Sequence, residues 1–150
     1  MDIKPADTTT DASEPRTRVR RLRAVIAAVA AACAAWLLIE GLGGVDLQAP
    51  AFSESASTQD IDLLGVLFAS LTASLAGWLA LGFIERYTAR PGRWWISLAV
   101  GTLVLSLGGP ISGLGIDNTN RVLLVLLHLI VAGILISLFQ RTIENRAERT

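Results

Sequence analysis

Few side chains in the apolar segments of this sequence could do chemistry, and two of them are ionisable: Glu40 and the single histidine, His128. A carboxylate beside an imidazole favours the charged imidazolium, and such a pair can sense protons or bind a cation. An ionisable group in an apolar helix is unfavourable unless it finds a partner or a wet cavity, so both residues are functional candidates. The competing interpretation is a structural histidine that hydrogen-bonds a backbone carbonyl.

A chain break and several polar residues surround these two candidates in the predicted structure. Pro110 lacks an N–H and follows two glycines, so the third apolar helix should kink or unwind there and expose carbonyl groups. Ser106 and Ser112 flank this break, and Arg121 immediately precedes the fourth apolar segment. The sequence therefore predicts one polar site near one membrane surface, formed by Glu40, His128, Ser106, Pro110, Ser112 and Arg121.

Recognisable catalytic and metal-binding patterns are missing from the sequence. It contains no Gly-rich phosphate loop, no paired-histidine metal spacing and no serine or cysteine nucleophile motif. A single cysteine, Cys33, allows no intramolecular disulfide and no cysteine-based metal site. We therefore expect no enzymatic activity, no cofactor and no bound metal.

The composition indicates that these residues lie in a membrane. Hydrophobic residues make up 52% of the chain and its mean hydropathy is +0.53, which is too apolar for a soluble domain of this size. Four segments have the length of about 20 residues that a spanning helix needs, and none alternates like a barrel strand. The first is longer than the apolar core of a signal peptide, so we interpret it as a membrane anchor. The predicted fold is an all-α four-helix transmembrane bundle with spans at 22–43, 62–84, 94–116 and 122–140.

The basic residues predict how this bundle is oriented. All but one of the 13 basic residues lie in the N-terminal stretch up to Arg23, between the second and third spans, or after the fourth, and the exception is Arg121. The positive-inside rule then places both termini in the cytoplasm. Residues 1–20 are predicted to be a disordered cytoplasmic tail, 21–141 the membrane domain and 142–150 a cytoplasmic C-terminal tail.

An arginine cluster directly before the first span offers a possible lipid contact. Topology alone explains its position, and no nucleic-acid partner is expected, but anionic lipid could bind there as well. The cluster comprises Arg16, Arg18, Arg20, Arg21 and Arg23.

Small residues recur at helical spacing on the first two spans and predict how these helices pack. In lipid, small side chains let helix backbones approach closely. We expect the first and second helices to pack through such faces, with Gly77 at the contact. The stripes are Ala24, Ala28 and Ala32, or Ala27, Ala31 and Ala35, on the first helix, and Ala69, Ala73 and Gly77 on the second.

Three short motifs and the four-segment plan resemble a family of small actinobacterial membrane proteins classified only as a domain of unknown function. The motifs are the pair Glu85–Arg86, SLGGP at 106–110 and HLIVAGILI at 128–136. The resemblance covers roughly residues 20 to 140. It implies a four-helix membrane fold and a cell-membrane location, and it implies no reaction.

Two functions from different classes are compatible with these features. The first is a non-enzymatic membrane protein that acts through helix–helix association, with itself as a homo-oligomer or with a larger membrane partner. The alternative is a small carrier or ligand-binding protein with an outward-facing polar pocket around Glu40 and His128.

Overall fold

The computed structural model describes residues 13–50, 58–112 and 115–147 of the chain. Residues 1–12, which are predicted to be disordered, and residues 148–150 at the end of the C-terminal tail lie outside the described residues. The elements in chain order are α1 (Ser13–Leu37), a π-helical segment (Leu38–Leu42), β1 (Gln48–Pro50), β2 (Thr58–Asp60), α2 (Leu63–Tyr87), α3 (Pro91–Ser106), α4 (Gly108–Ser112) and α5 (Asn118–Ala147).

Four helical spans in the described residues are long and apolar enough to cross a membrane, which confirms the predicted helical architecture at that level. They are Thr17–Leu42, Leu63–Tyr87, Pro91–Ser112 and Asn118–Asn145. The third span consists of α3 and α4 with Leu107 between them. At the arginine-rich end the helices extend beyond the predicted spans. Residues 13–20 of the predicted disordered tail are helical, and α5 continues to Ala147.

A short antiparallel hairpin, which was not among the predicted elements, joins the first two spans. Strands β1 and β2 pair Gln48 with Asp60 and Ala49 with Gln59. Its strands have three residues each, so the hairpin cannot be stable alone and depends on contacts with the helices.

Two hydrophobic clusters hold the described elements together at opposite ends of the helices. The larger one joins all four spans where α1 begins and α5 ends; its buried members are Ala24, Val25, Ala28, Leu81, Trp95, Leu135, Phe139 and Ile143. The smaller one lies beside the hairpin and comprises Leu47, Ile116 and Leu124, with Trp36 packed against it. Because Val25 and Ile143 share a cluster, the start of α1 and the end of α5 lie at the same end of the molecule.

Local sequence signals explain where the helices begin. The Asp62 carboxylate accepts a hydrogen bond from the backbone N–H of Gly65 at 2.7 Å and so caps α2. Pro91 occupies the first turn of α3, where its missing N–H costs nothing because that group would have no intrahelical partner. Asp117 caps α5 by accepting from the N–H of Asn120 at 3.1 Å.

Candidate functional site

Glu40 lies in the π-helical segment that ends the first span, and the structure gives it a structural partner. The chain turns back at Gly43 and at Gly44, whose φ of 62° is in the left-handed region that favours glycine. This reversal brings the backbone N–H of Leu47 to the Glu40 carboxylate, with a nitrogen–oxygen distance of 3.3 Å. Glu40 therefore holds the loop after α1 against the helix end.

Leu47 and the hairpin close this end of the bundle. Leu47 is completely buried among Ile116, Leu124 and their neighbours. Two hydrogen bonds fix the hairpin to the helices: Trp36 Nε1 donates to the carbonyl of Ile61 at 2.9 Å, and Gln48 N donates to Asn120 Oδ1 at 3.1 Å. At this end of the bundle, polar groups of the backbone and of side chains therefore hydrogen-bond one another around the buried Leu47.

Asn120 also acts on the carboxylate that begins α5. Hydrogen bonds from the Asn120 side chain, and then from its backbone N–H, hold the pKa of Asp117 below its ordinary value. Asp117 is exposed and lies just before the fourth span. One asparagine therefore connects the cap of α5 to the hairpin.

The break around Pro110 is present but shallower than expected. Pro110 is buried in the first turn of α4, where it cannot donate a hydrogen bond to the carbonyl of Ser106. The flanking N–H groups keep helical bonds, because Leu107 donates to Leu103 and Ile111 donates to Leu107, both at 3.0 Å. The predicted kink is therefore an interruption at one residue, and α3 and α4 together still form one span.

The polar residues around this break are bonded locally. The Ser106 hydroxyl donates to the carbonyl of Leu103 at 2.9 Å, and that of Ser112 donates to Gly108. Both serines are exposed. Arg121 Nη1 donates to the carbonyl of Ile111, so this arginine connects the end of α4 to the start of α5.

His128 faces the interior side of α5 and bonds to its own helix. Its Nδ1 lies 2.7 Å from the carbonyl oxygen of Leu124, one turn earlier. It is half-buried on the helix face that also carries Leu124 and Leu135. This is a bond to a backbone carbonyl, as in the structural interpretation, but the carbonyl belongs to α5 and not to the broken third span.

The hydrogen bonds observed for the predicted polar site residues are made with backbone groups: Glu40, Ser106, Ser112, Arg121 and His128. Within the described residues no hydrogen bond or ion pair joins Glu40 to His128, since the first binds Leu47 and the second binds Leu124. The described residues also contain no group of three His, Cys, Asp or Glu side chains that could hold a metal ion. A pocket around Glu40 and His128 thus remains a sequence prediction that no observed contact favours.

The helix-packing faces agree with the sequence on α1 and differ on α2. Ala24, Ala28 and Ala32 are buried, as one of the two predicted stripes required. On α2, however, Ala69 and Ala73 are exposed.

The buried small residues of α2 are instead Ser70 and Ser74, one position further along the helix. Their hydroxyls donate to the carbonyls of Val66 and Ser70, each at 2.7 Å. A serine whose hydroxyl is hydrogen-bonded to its own helix packs as a small side chain. The buried face of α2 is therefore the serine stripe, which lies next to the predicted alanine stripe.

Gly77 lies at a helix contact, but its partners are α3 and α5. A Cβ at this position would lie 3.5 Å from both Phe139 Cε2 and Trp95 Cη2, which are ordinary contact distances. The two rings pack together with centroids 5.4 Å apart. The predicted contact between Gly77 and the first helix is therefore replaced by an aromatic contact with the other two.

A largely buried ion pair lies at the opposite end, and it was not predicted from the sequence. Arg21 of α1 forms an ion pair with Glu85 of α2, and their side chains are 7% and 13% exposed. Removing one partner of such a buried pair typically costs about 3 to 5 kcal/mol, because the other charge is left uncompensated. The spacing could have indicated that Arg21 faces the interior, because it precedes Ala24 and Ala28 by three and seven residues and so shares their helix face.

Three further buried polar atoms at this end lack a hydrogen-bond partner within the described residues. They are Arg21 Nε, Trp95 Nε1 and Gln140 Oε1. Gln140 also lies against Gly92, where a Cβ would approach its Nε2 to 3.1 Å. Polar side chains therefore enter the protein interior at the arginine-rich end, where α1, α2, α3 and α5 meet.

The chain belongs to DUF6069, a family of unknown function whose sequence profile matches residues 12–145. No curated protein and no solved structure matches the chain. The resemblance seen in the sequence is thus confirmed as membership of a family of unknown function, while the actinobacterial origin stays a prediction.

Proposed function

We propose that this member of DUF6069 is a non-catalytic multi-pass membrane protein that acts through association of its helices with a second copy or with a larger membrane protein. The arginine distribution favours an orientation with both termini in the cytoplasm, and the resemblance to small actinobacterial membrane proteins suggests a bacterial cell membrane. The proposal concerns association because Ser70, Ser74 and His128, which lie within the spans, bond to their own helices.

The use of polar side chains within the spans is the observation on which this proposal rests. Ser70, Ser74 and His128 each hydrogen-bond a carbonyl of their own helix. A binding site for a small molecule or ion requires several polar groups directed at one point. Within the described spans these three groups are instead bonded along their helices, which is compatible with a packing role.

Exposed small residues support the same proposal from outside the bundle. Ala69 and Ala73 lie one turn apart on the exposed surface of α2. Gly101 of α3 and Gly133 of α5 are also open, since a Cβ at either position would meet no atom within 4 Å. Because helices in lipid associate through close van der Waals packing, such positions allow another helix to approach.

The proposal is tested by substituting large side chains for the exposed alanines of α2. We expect the double substitution Ala69→Leu and Ala73→Leu to weaken association by roughly tenfold, since backbones can no longer approach. Gly82→Leu is the matched control, because Gly82 lies on the opposite side of α2 by helical periodicity and has open space around it.

Association is measured by single-molecule photobleaching in dilute lipid bilayers and by co-purification from native membranes. The proposal expects a wild-type complex that the control retains and the double variant loses. A wild-type protein that is monomeric in lipid and co-purifies with no other protein would contradict it.

A further inference from the structure

The end of the molecule at which α1 begins and α5 ends carries exposed arginines from all four spans. The Arg21–Glu85 ion pair places the start of α1 beside the end of α2. The α3 helix begins four residues after α2 ends, and Trp95 of α3 packs on Phe139 of α5. Arg18 is also exposed at this end but has a partner of its own. We name the other six exposed arginines the arginine rim: Arg20, Arg23, Arg86, Arg90, Arg93 and Arg141.

The guanidinium groups of the arginine rim have no counter-charge within the described chain. None of these six groups forms a hydrogen bond or ion pair there, whereas Arg21, which lies between Arg20 and Arg23, is bonded to Glu85. Among the described side chains at this end, Glu144 is the exposed carboxylate, and it accepts a hydrogen bond from Gln140 at 3.2 Å. The rim is therefore a strongly positive surface.

Aromatic side chains place this surface at the level of lipid headgroups. Tyr87 and Trp94 are 73% and 60% exposed, and each directly follows an arginine of the rim. Amphipathic aromatic rings at the ends of membrane spans lie at the boundary between hydrocarbon and headgroups. The neighbouring guanidinium groups are then at the depth of lipid phosphates.

We propose that the arginine rim binds the headgroups of anionic phospholipids and selects them over zwitterionic lipids. The occupant follows from charge complementarity, because six unpaired positive groups face a surface whose anionic lipids carry the matching charge. The binding set differs from the arginine cluster expected from sequence. Arg21 is committed to Glu85, and the arginines of α2, α3 and α5 take part.

Lipid selection can be measured on the full-length protein in nanodiscs that hold one copy each, so that association between copies plays no part. Brominated phosphatidylglycerol is mixed with unbrominated phosphatidylcholine, and quenching of tryptophan fluorescence gives the relative affinity. We expect preference for phosphatidylglycerol that weakens as salt is raised, because the contacts are exposed charges. Equal affinity for the two lipids in the wild-type protein would overturn the proposal.

Charge substitutions on the rim give the second arm of this test. Arg90→Gln with Arg93→Gln should lower the preference about 25-fold, at about fivefold per arginine. Arg90→Lys with Arg93→Lys is the matched control and should retain it, while Glu144→Gln should strengthen it. An unchanged preference in the glutamine variant overturns the proposal. If that variant fails to fold, the Glu144→Gln variant and the salt series decide. The proposal is overturned if Glu144→Gln does not increase the preference for phosphatidylglycerol and added salt does not reduce it.

Discussion

At the scale of single residues, the contacts of each polar side chain decide whether it serves structure or function. Glu40 binds a backbone N–H in the following loop, and His128 binds a carbonyl of its own helix. Ser70 and Ser74 bind their own helix too and thereby pack as small residues. An apolar environment leaves such groups no water to bind, so the nearest carbonyl is the usual partner.

Substitution of Gly77 tests the aromatic contact. Gly77→Leu should destabilise the protein by about 1 to 3 kcal/mol, because the side chain would overlap Phe139 and Trp95, whereas a single Cβ fits. Gly82→Leu is the control on the same helix, since its position is open. Thermal unfolding in detergent measures both. Equal melting temperatures for the two variants would show that Gly77 does not face these rings.

A double-mutant cycle tests whether Glu40 and His128 form one site. Because they have separate partners, we expect the effects of Glu40→Ala and His128→Ala on unfolding free energy to add within about 0.5 kcal/mol. Chemical unfolding of the wild type, the two single variants and the double variant provides the four values. A coupling clearly above about 1 kcal/mol, on the order expected for direct contact, would restore the coupled proton-sensitive pair.

At the scale of elements, the end of the first span is shaped by backbone geometry. The π-helical segment Leu38–Leu42 ends where Gly43 donates its N–H to the carbonyl of Leu38 at 3.0 Å, and Gly44 then reverses the chain. This reversal lets Leu47 seal the end of the bundle beside the hairpin. A π-helical turn contains one residue more than an α-helical turn, and such turns often occur at functional sites. Here the π-helical turn sets the direction of the loop that follows.

Gly41 within this segment and Gly43 directly after it should respond differently to substitution by alanine. A Cβ at Gly43 would lie 2.4 Å from the carbonyl oxygen of Ile39, which is backbone and cannot move aside, so Gly43→Ala should cost about 2 kcal/mol. Gly41→Ala meets no atom within 4 Å and should be neutral or slightly stabilising. Thermal unfolding compares the two. A stable Gly43→Ala variant would mean that the helix ends without this close approach.

At the scale of the whole molecule, the two ends of the bundle differ in chemistry. The hairpin end is closed by Leu47 and by hydrogen bonds of Glu40, Trp36 and Asn120, and Arg121 is its one basic residue within the described chain. The opposite end contains the buried Arg21–Glu85 pair and the arginine rim. This asymmetry is compatible with a protein whose two ends meet different aqueous phases, and the positive-inside rule predicts that the arginine-rich end faces the cytoplasm.

Reporter fusions test that orientation. A reporter inserted at Ser55, between the first two spans, should be active only outside the cytoplasm, whereas one fused after Thr150 should be active only inside it. The reason is the confinement of nearly all basic residues to the loops and tails at one end. Alkaline phosphatase and green fluorescent protein report the two compartments. Identical sidedness at both positions would contradict the predicted topology.

The sequence by itself determined the features that each segment carries alone. Hydrocarbon thickness sets the length of a span, and the lack of backbone partners in lipid makes each span helical, so four spans followed from composition. The interruption before Pro110 followed from its missing N–H. An alanine-lined contact on α1 was also predictable, although the sequence left two stripes open and the structure buries the one with Ala24, Ala28 and Ala32.

Only the tertiary structure decided which segments meet and through which face. Arg21 and Glu85 are 64 residues apart, and no periodicity within one helix indicates such a partner. The alanine and serine stripes of α2 are adjacent, and both are small enough to pack. Rotation of α2 by its contacts with α1, α3 and α5 buried Ser74 and left Ala73 exposed. A spanning helix is apolar on every side, so its sequence pattern distinguishes interior from exterior far less sharply than in a soluble protein.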